Sequence, residues 1–376
     1  MDLIFTSADF KIGNSSYIDL PLLLTNDARI VKPVLFYFVH VLMNTNANDK
    51  KTFKAYGQHL YDYFGYLEAK GYKWNKKENC VLGTTHPINE YKQWCLHECG
   101  NNERYVNAKL KTLVRFYSWA YTHGLINELP FKFKTLIVRP GNEKFLTGMY
   151  DGSNLVQTTD ILLKTYEPEI SYLTIKQIQV LLSTLGNPAH NLMTRLALAS
   201  GLRAEEITSF PSCYISEPYK VNDAVIRIKL DPKQMDLKYN KARSIDIPSS
   251  LLDKLWRYKI TQRTLLEKKS GKTFSKIFLT KHGIPFTADG FWQILARISK
   301  KTGFYVHPHM LRHTYATQTL NSMLRERANG HYLGDPYLYI QRRLGHSNLN
   351  QTLRYAKFID ESLHNYSFSY QKELES

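Results

Sequence analysis

Arg203, a loop with Lys233, Lys238 and Lys241, then His309, Arg312, His346 and Tyr355 follow one another in that order through the second half of a 376-residue chain. Two arginines, a lysine, two histidines and a tyrosine suit one reaction, the cleavage of a phosphodiester. Cleavage redistributes negative charge over the non-bridging oxygens, and fixed positive charge stabilises that redistribution. A guanidinium fork does this with paired hydrogen bonds. A tyrosine hydroxyl supplies the nucleophile once a base takes its proton. A lysine on a loop, its pKa lowered by neighbouring arginines, can protonate the leaving oxygen.

Each piece taken singly is weak. Arg203 follows Gly201 in "ASGLRAEEI", so its guanidinium is expected at a surface or cleft. Pairing with Glu206 on the next turn is the commoner fate of such an arginine. In "HPHMLRH", His309 and Arg312 are three apart and share one side of a helix. His307 reads as their neighbour on the entering loop. Tyr355 stands nine residues after His346 in "LGHSNLNQTLRY" and is one of 26 tyrosines. Alone it is a core aromatic. The joint order and spacing change those odds.

The elements that must position these groups can be read from periodicity. Residues 1 to about 30 read as short extended pieces, and 1–44 form an N-terminal segment with no assigned role. In "KKTFKAYGQHLYDYFGYLEAKG", Phe53, Tyr56, Leu60, Tyr63 and Tyr66 recur at helical spacing, with Gly71 as the stop. In "VNAKLKTLVRFYSWAYTHG", Leu110, Leu113, Phe116, Tyr117 and Ala120 form one side, and Lys109, Lys111 and Arg115 share the helix. Residues 45–140 are therefore expected as a small helical domain with basic faces, followed by a loop-rich linker over 141–168. Thr174 is placed as an N-cap for a helix carrying Ile178, Val180, Leu181 and Leu182. "AVIRIKL" and "RSIDIP" alternate like half-buried strands, joined by a long basic loop with Lys233, Lys238 and Lys241. Helical patterns resume at "TADGFWQILARISKKTG" and "MLRHTYATQTLNSMLRE". The fold class expected is mainly α with a small antiparallel β-sheet (α+β).

The charge balance names a partner. Fifty Lys and Arg against 33 Asp and Glu give a net charge of +17. The basic residues are spread along the whole chain, as in a protein that surrounds a polyanion, each contact with a phosphate releasing counterions. Four cysteines do not make a disulfide framework and fit a reducing compartment. "CLHEC", with His97 between Cys95 and Cys99, lacks standard zinc spacing and reads as ordinary thiols. The N-terminus has no signal-peptide pattern. "VLFYFVHVLM" (34–43) is too short to span a bilayer. The chain is expected to be soluble and intracellular, in the cytoplasm, with no membrane partner.

"ASGLRAEEI", "HPHMLRHTYAT" and "LGHSNLNQTLRY" closely resemble the three signature stretches of the tyrosine recombinases, the phage-integrase family. The likeness is clear over about 170–360. "RFYSWAYTHGLINELPF" resembles the end of the family's core-DNA-binding domain and extends it back to about 45. The resemblance implies a helical core-DNA-binding domain followed by a catalytic domain over 169–360. It implies that Arg203 and Arg312 clamp the scissile phosphate, that His309 assists proton transfer as base toward the tyrosine, and that His346 hydrogen-bonds the phosphate. Tyr355 would attack, giving a 3′-phosphotyrosyl link and a free 5′-hydroxyl, with no ATP, metal or other cofactor. The family's acid lysine lies in a turn five residues before an arginine opening the second strand. Lys238 fits, with Arg243, and Lys241 or Lys233 remain alternatives. Glu206 would orient Arg203. Lys109, Arg115, Lys241, Arg342 and Arg343 are candidate DNA contacts. The partners implied are double-stranded DNA, a homotetramer on DNA and accessory directionality factors.

The chain departs from the family between Arg312 and His346, where "RERANGHYLGDPYLY" (325–339) is extra. It is expected as a surface loop near the active site, with contacts to DNA or a neighbour. Residues 361–376 are too apolar for a free tail and are expected to dock on an adjacent protomer. The leading reading is a site-specific recombinase for integration or excision of a mobile element. A type IB topoisomerase or DNA-resolving enzyme shares the chemistry, and a catalytically silent DNA-binding protein shares the fold. A metal-dependent nuclease would need a carboxylate cluster, which is lacking near the histidines.

Overall fold

The computed structural model describes residues 1–44, 50–81, 83–137, 155–165, 170–217, 224–346, 349 and 351–355. The chain divides into two compact units, Met1–Glu167 and Pro168–Ser376. Helices dominate both, and the described strands form five antiparallel pairs.

Unit 1 opens with strand β1 (Asp2–Phe5), a two-residue hairpin β2 (Lys11–Ile12) and β3 (Ser15–Ser16), and β4 (Pro21–Leu24), which pairs with β1. Helices α1 (Lys32–Asn44) and α2 (Lys50–Lys70), hairpin β5 (Glu78–Cys80) and β6 (Gly83–Thr85), and helices α3 (Pro87–His97) and α4 (Glu103–Thr122) follow. Phe53, Leu60, Tyr63 and Tyr66 on α2 face Leu110, Leu113, Phe116 and Tyr117 on α4 in one buried cluster. That cluster is rich in rings: Phe116 meets Tyr37, Phe64 and Trp74 with centroids 5.6, 5.7 and 5.3 Å away. Edge-to-face ring pairs of this kind add to the stabilisation from area burial alone.

Two expected boundaries do not hold. Residues 1–44 are no separate segment, because Leu20, Leu23, Val34, Tyr37 and Phe38 sit in the same core as α2 and α4. Gly57 lets α2 close on β4; a Cβ there would stand 2.7 Å from Pro21 Cβ. The 141–168 segment is also not all linker. Strand β8 (Leu155–Thr159) pairs with β7 (Phe133–Ile137), and the Asn107 side chain accepts from Leu163 N at 2.9 Å and donates to its carbonyl at 2.8 Å. Residues 138–154 lie outside the described residues.

Unit 2 builds on α5 (Ile175–Thr184), α6 (Pro188–Ser200), the short α7 (Ala204–Thr208), strands β9 (Val225–Leu230) and β10 (Arg243–Pro248), α8 (Ser249–Tyr258), α9 (Thr264–Ser270), α10 (Ala288–Thr302), α11 (Pro308–Ala328) and α12 (Pro336–Leu344). Thr174 caps α5 through a reciprocal capping box with Gln177. Val180 lies on its exposed face. The alternation of the two strands becomes a hairpin in register Arg243↔Leu230 to Pro248↔Val225. The helical run from α8 to α9, joined by a π-type turn at Lys259–Arg263, was not marked by the patterns recognised in the sequence. The extra stretch 325–339 is mostly not a loop: its first residues extend α11, its last open α12, and only 329–335 are irregular. Tyr339 within it donates to Asp246 Oδ2 of β10 at 2.8 Å.

Candidate active site

Three chain turns meet around the Arg312 guanidinium. Arg312 lies on α11 and is only 1% exposed. Its Nη1 donates to Gly201 O at 2.7 Å and its Nη2 to Leu344 O at 2.8 Å. Those carbonyls belong to the C-terminal ends of α6 and α12, where each helix is closed by a left-handed glycine, Gly201 (φ 65°) and Gly345 (φ 67°). At Gly201 glycine is required twice over, since a Cβ would lie 2.4 Å from the Tyr315 ring. Burial first, then the charge of Arg203, pushes Arg312 down to about 9, so it stays cationic at neutral pH.

Arg203 leaves the α6 turn and sits just ahead of α7. Its Nη1 donates to Glu206 Oε1 at 3.0 Å and its backbone N to Oε2 at 2.8 Å. Glu206 also takes the whole fork of Arg243, at 3.0 and 2.6 Å. Burial alone would raise the Glu206 carboxyl, but the hydrogen bonds and charge of Arg243, with the charge of Arg203, hold it below its ordinary value. Arg243 Nε reaches on to Arg343 O at 3.0 Å. Arg243 thus ties the first residue of β10 to α7 and α12. The sequence marked it only as the opening of a strand.

Two histidines flank the tyrosine. A helical turn at 351–355 carries Tyr355, 3% exposed, into a small cluster with Ile170, Tyr315, Leu320, Ile340 and Leu344. The His346 ring lies parallel to the Tyr355 ring, centroids 6.3 Å apart, and its Nδ1 is hydrogen-bonded to Thr352 Oγ1 at 2.9 Å. Burial, then the charges of Arg312 and Arg203, lowers His346 to about 3. Partial burial, then Arg312, lowers His309 to about 4, with Lys238 among the contributing charges. Both imidazoles are therefore neutral at pH 7. The group that reaches the phenol is neither of them: His313 Nδ1 is 2.9 Å from Tyr355 Oη. Its position four residues after His309, one turn along the same helix face, was a signal available in the sequence.

Lys238 is exposed on the hairpin loop, its ammonium 5.0 Å from the Tyr239 ring centroid. Lys233 and Lys241 are exposed on the same loop. Of the residues expected to contact DNA, Arg115, Lys241 and Arg342 are exposed. Two are not available. Lys109 is 4% exposed and its ammonium pairs with Asp62 at 2.7 Å. Arg343 is buried, donates to Ser244 O at 3.1 Å and pairs with Asp246 at 2.5 Å, fastening α12 to β10. His307 is the N-cap residue of α11, its ring stacked on Trp292. Cys95 is buried in α3 and Cys99 exposed beyond it, and both are free thiols. Among the described residues, no group of three or more His, Cys, Asp or Glu could hold a metal ion, and no helix is long and apolar enough to cross a membrane.

The arginine pocket and the tyrosine lie together in one helical unit. A profile of the Phage integrase family matches residues 171–361, just over half the chain, and the chain belongs to that family, the site-specific tyrosine recombinases. It is similar to the tyrosine recombinase XerC of Bacillus licheniformis, 27% identical over 335 residues, 89% of this chain and 94% of the relative. It is also similar to transposase A from transposon Tn554 of Staphylococcus aureus, 24% identical over 94% of this chain and 95% of the relative. Among solved structures, the XerH site-specific recombinase bound to palindromic difH substrate superposes with a TM-score of 0.55 at 13% identity, covering 90% of this chain and 89% of that one. The Tn1549 transposon integrase in complex with a circular intermediate DNA gives 0.54 at 19%, covering 85% and 93%. These two likenesses concern the fold.

Proposed function

We propose that the protein recombines double-stranded DNA at a specific site to integrate or excise a mobile element, with Tyr355 as nucleophile. The observation that carries this reading is the placement of Tyr355 inside its own chain, beside His346 and within reach of the charges of Arg312 and Arg203. Tyr355 then acts in cis. Arg203 and Arg312 clamp the scissile phosphate, His346 hydrogen-bonds it through the ring nitrogen not engaged by Thr352, and His309 lines the same pocket. Lys238 protonates the leaving 5′-oxygen; its charge bears on His309, which favours it over Lys233 and Lys241. Attack gives a 3′-phosphotyrosyl bond that conserves the energy of the phosphodiester, and the 5′-hydroxyl of a second strand reverses it. Exchange between two sites calls for four active sites, hence a homotetramer on DNA, with directionality factors setting the outcome. Arg115, Lys241 and Arg342 serve as backbone contacts, and the enzyme works in the cytoplasm on bacterial or phage DNA. Residues 361–376, expected to dock in trans, lie outside the described residues.

A transposase matching nearly the whole chain favours mobile-element recombination over topoisomerase action. The two separate in one assay. With two copies of the recombination site on a supercoiled plasmid, exchanged products that account for the substrate lost are expected, two circles per plasmid for direct repeats. Relaxation without exchanged products would point to a type IB topoisomerase.

A further inference from the structure

His313 touches the hydroxyl of Tyr355. Its Nδ1 lies 2.9 Å from Tyr355 Oη, normal hydrogen-bond distance. His309, the expected base, instead packs edge-to-face on His313, ring centroids 4.3 Å apart at 73°. His313 is thus held between His309 and the Tyr355 ring, whose centroid is 5.6 Å away. We propose that His313 is a catalytic residue, the base that takes the Tyr355 proton in strand cleavage and returns it in religation. This rests on Tyr355 being the nucleophile.

The Oη–H bond of Tyr355 breaks and its proton passes to His313 Nδ1. The electron pair left on Oη forms the bond to phosphorus. The bond from phosphorus to O5′ breaks, and O5′ takes a proton from the Lys238 ammonium. Religation runs the same transfers backwards.

The surroundings leave the imidazole unprotonated but weakly basic, so the charge of the bound phosphate has to raise its basicity for it to accept the proton. Partial burial first, then His309, Arg354, His307 and Arg312, holds His313 down at about 3, so the imidazole is unprotonated at neutral pH. Burial pushes the Tyr355 phenol up, against the lowering charges of Arg312, Arg354 and Arg203. The phenol therefore does not ionise unaided at pH 7 and needs a base. The phosphate anion, once bound, makes a proton on His313 easier to hold.

The test is single-turnover cleavage of a nicked suicide duplex carrying the recombination site, by the full chain, from pH 6 to 10. A lost general base costs about 10²–10⁴-fold. His313→Ala is expected to be slower by that factor at pH 7, with the deficit shrinking as pH rises and hydroxide replaces the base. His313→Gln fills the site and accepts a hydrogen bond but cannot carry the proton, so it is expected to be as slow as His313→Ala. A deficit that stays constant with pH, or His313→Gln within about threefold of wild type, would overturn the proposal. On a duplex with sulfur in place of the bridging O5′, Lys238→Ala should recover, because thiolate needs no acid, and His313→Ala should not. Recovery of His313→Ala would place it on the leaving-group side and also overturn the proposal. The two claims fail separately: wild type without any adduct removes Tyr355 as nucleophile, whereas wild-type rates for both His313 variants remove only the base.

Discussion

Arg312→Lys is expected to lose strand cleavage by about 10²–10³-fold, the cost of removing one preorganised donor from a developing oxyanion. The positive charge and most of the volume remain, so loss of charge is not the cause. Both of the guanidinium's amino groups donate to backbone carbonyls, Gly201 O and Leu344 O. That pins the plane of the fork at the meeting point of α6, α11 and α12. A lysine ammonium is one flexible point charge and cannot hold both carbonyls while facing a phosphate. Binding of the DNA site draws on many basic groups and is expected to change by no more than about threefold. Filter binding and suicide-substrate cleavage on the same preparations separate the two effects. Cleavage within fivefold of wild type would contradict this role.

Glu206→Gln is expected to be the most destabilising single change in the site. The carboxylate is 1% exposed and is the anion facing both Arg203 and Arg243. An amide reverses one side of that arrangement, presenting N–H to guanidinium and leaving buried positive charge uncompensated. Breaking a buried pair in this way costs about 3–5 kcal/mol. In a unit of this size that lowers the melting temperature by roughly 6–20 °C, at 2–4 °C per kcal/mol. The pH sign follows from the lowered carboxyl. The contribution is fully present above the ordinary carboxylate range and is lost as pH falls through the depressed value, so variant and wild type converge in acid. Differential scanning calorimetry at pH 7 and at pH 3 to 4 reads both. A melting point within about 2 °C of wild type at pH 7 would show that Glu206 does not hold the arginines. Because Arg203 also loses its anchor, cleavage at a permissive temperature should fall at least tenfold.

The sequence disclosed those parts of the site whose partners lie nearby along the chain. Arg203 and Glu206 are three apart and do pair, and the helical spacing of α2 and α4 marks their buried faces correctly. Thr174 and Gln177 cap α5 as a local motif. What stayed hidden depends on distance along the chain. Arg243 finds Glu206 37 residues back and Arg343 100 residues on, which no local pattern reveals. Lys109 sits among helix-surface lysines in sequence, yet Asp62, 47 residues away, draws it into the core of unit 1. Arg343 follows Arg342 directly, and helical geometry turns one to Asp246 and the other to solvent. His313 is masked for another reason: the motif around it offers a second histidine, His309, that fits the role of base. The extra stretch 325–339 read as a loop because of its glycines and proline, but Pro336 is a first-turn helix residue, where proline is well tolerated.

The most direct measurement is the identity of the residue joined to DNA. A nicked suicide duplex carrying the recombination site, incubated with the protein in chelator and without ATP, should yield a denaturation-resistant adduct. Peptide mass mapping should place the 3′-phosphate on Tyr355, and Tyr355→Phe should give none. An adduct that persists in Tyr355→Phe, or one that maps to another residue, would contradict the central claim.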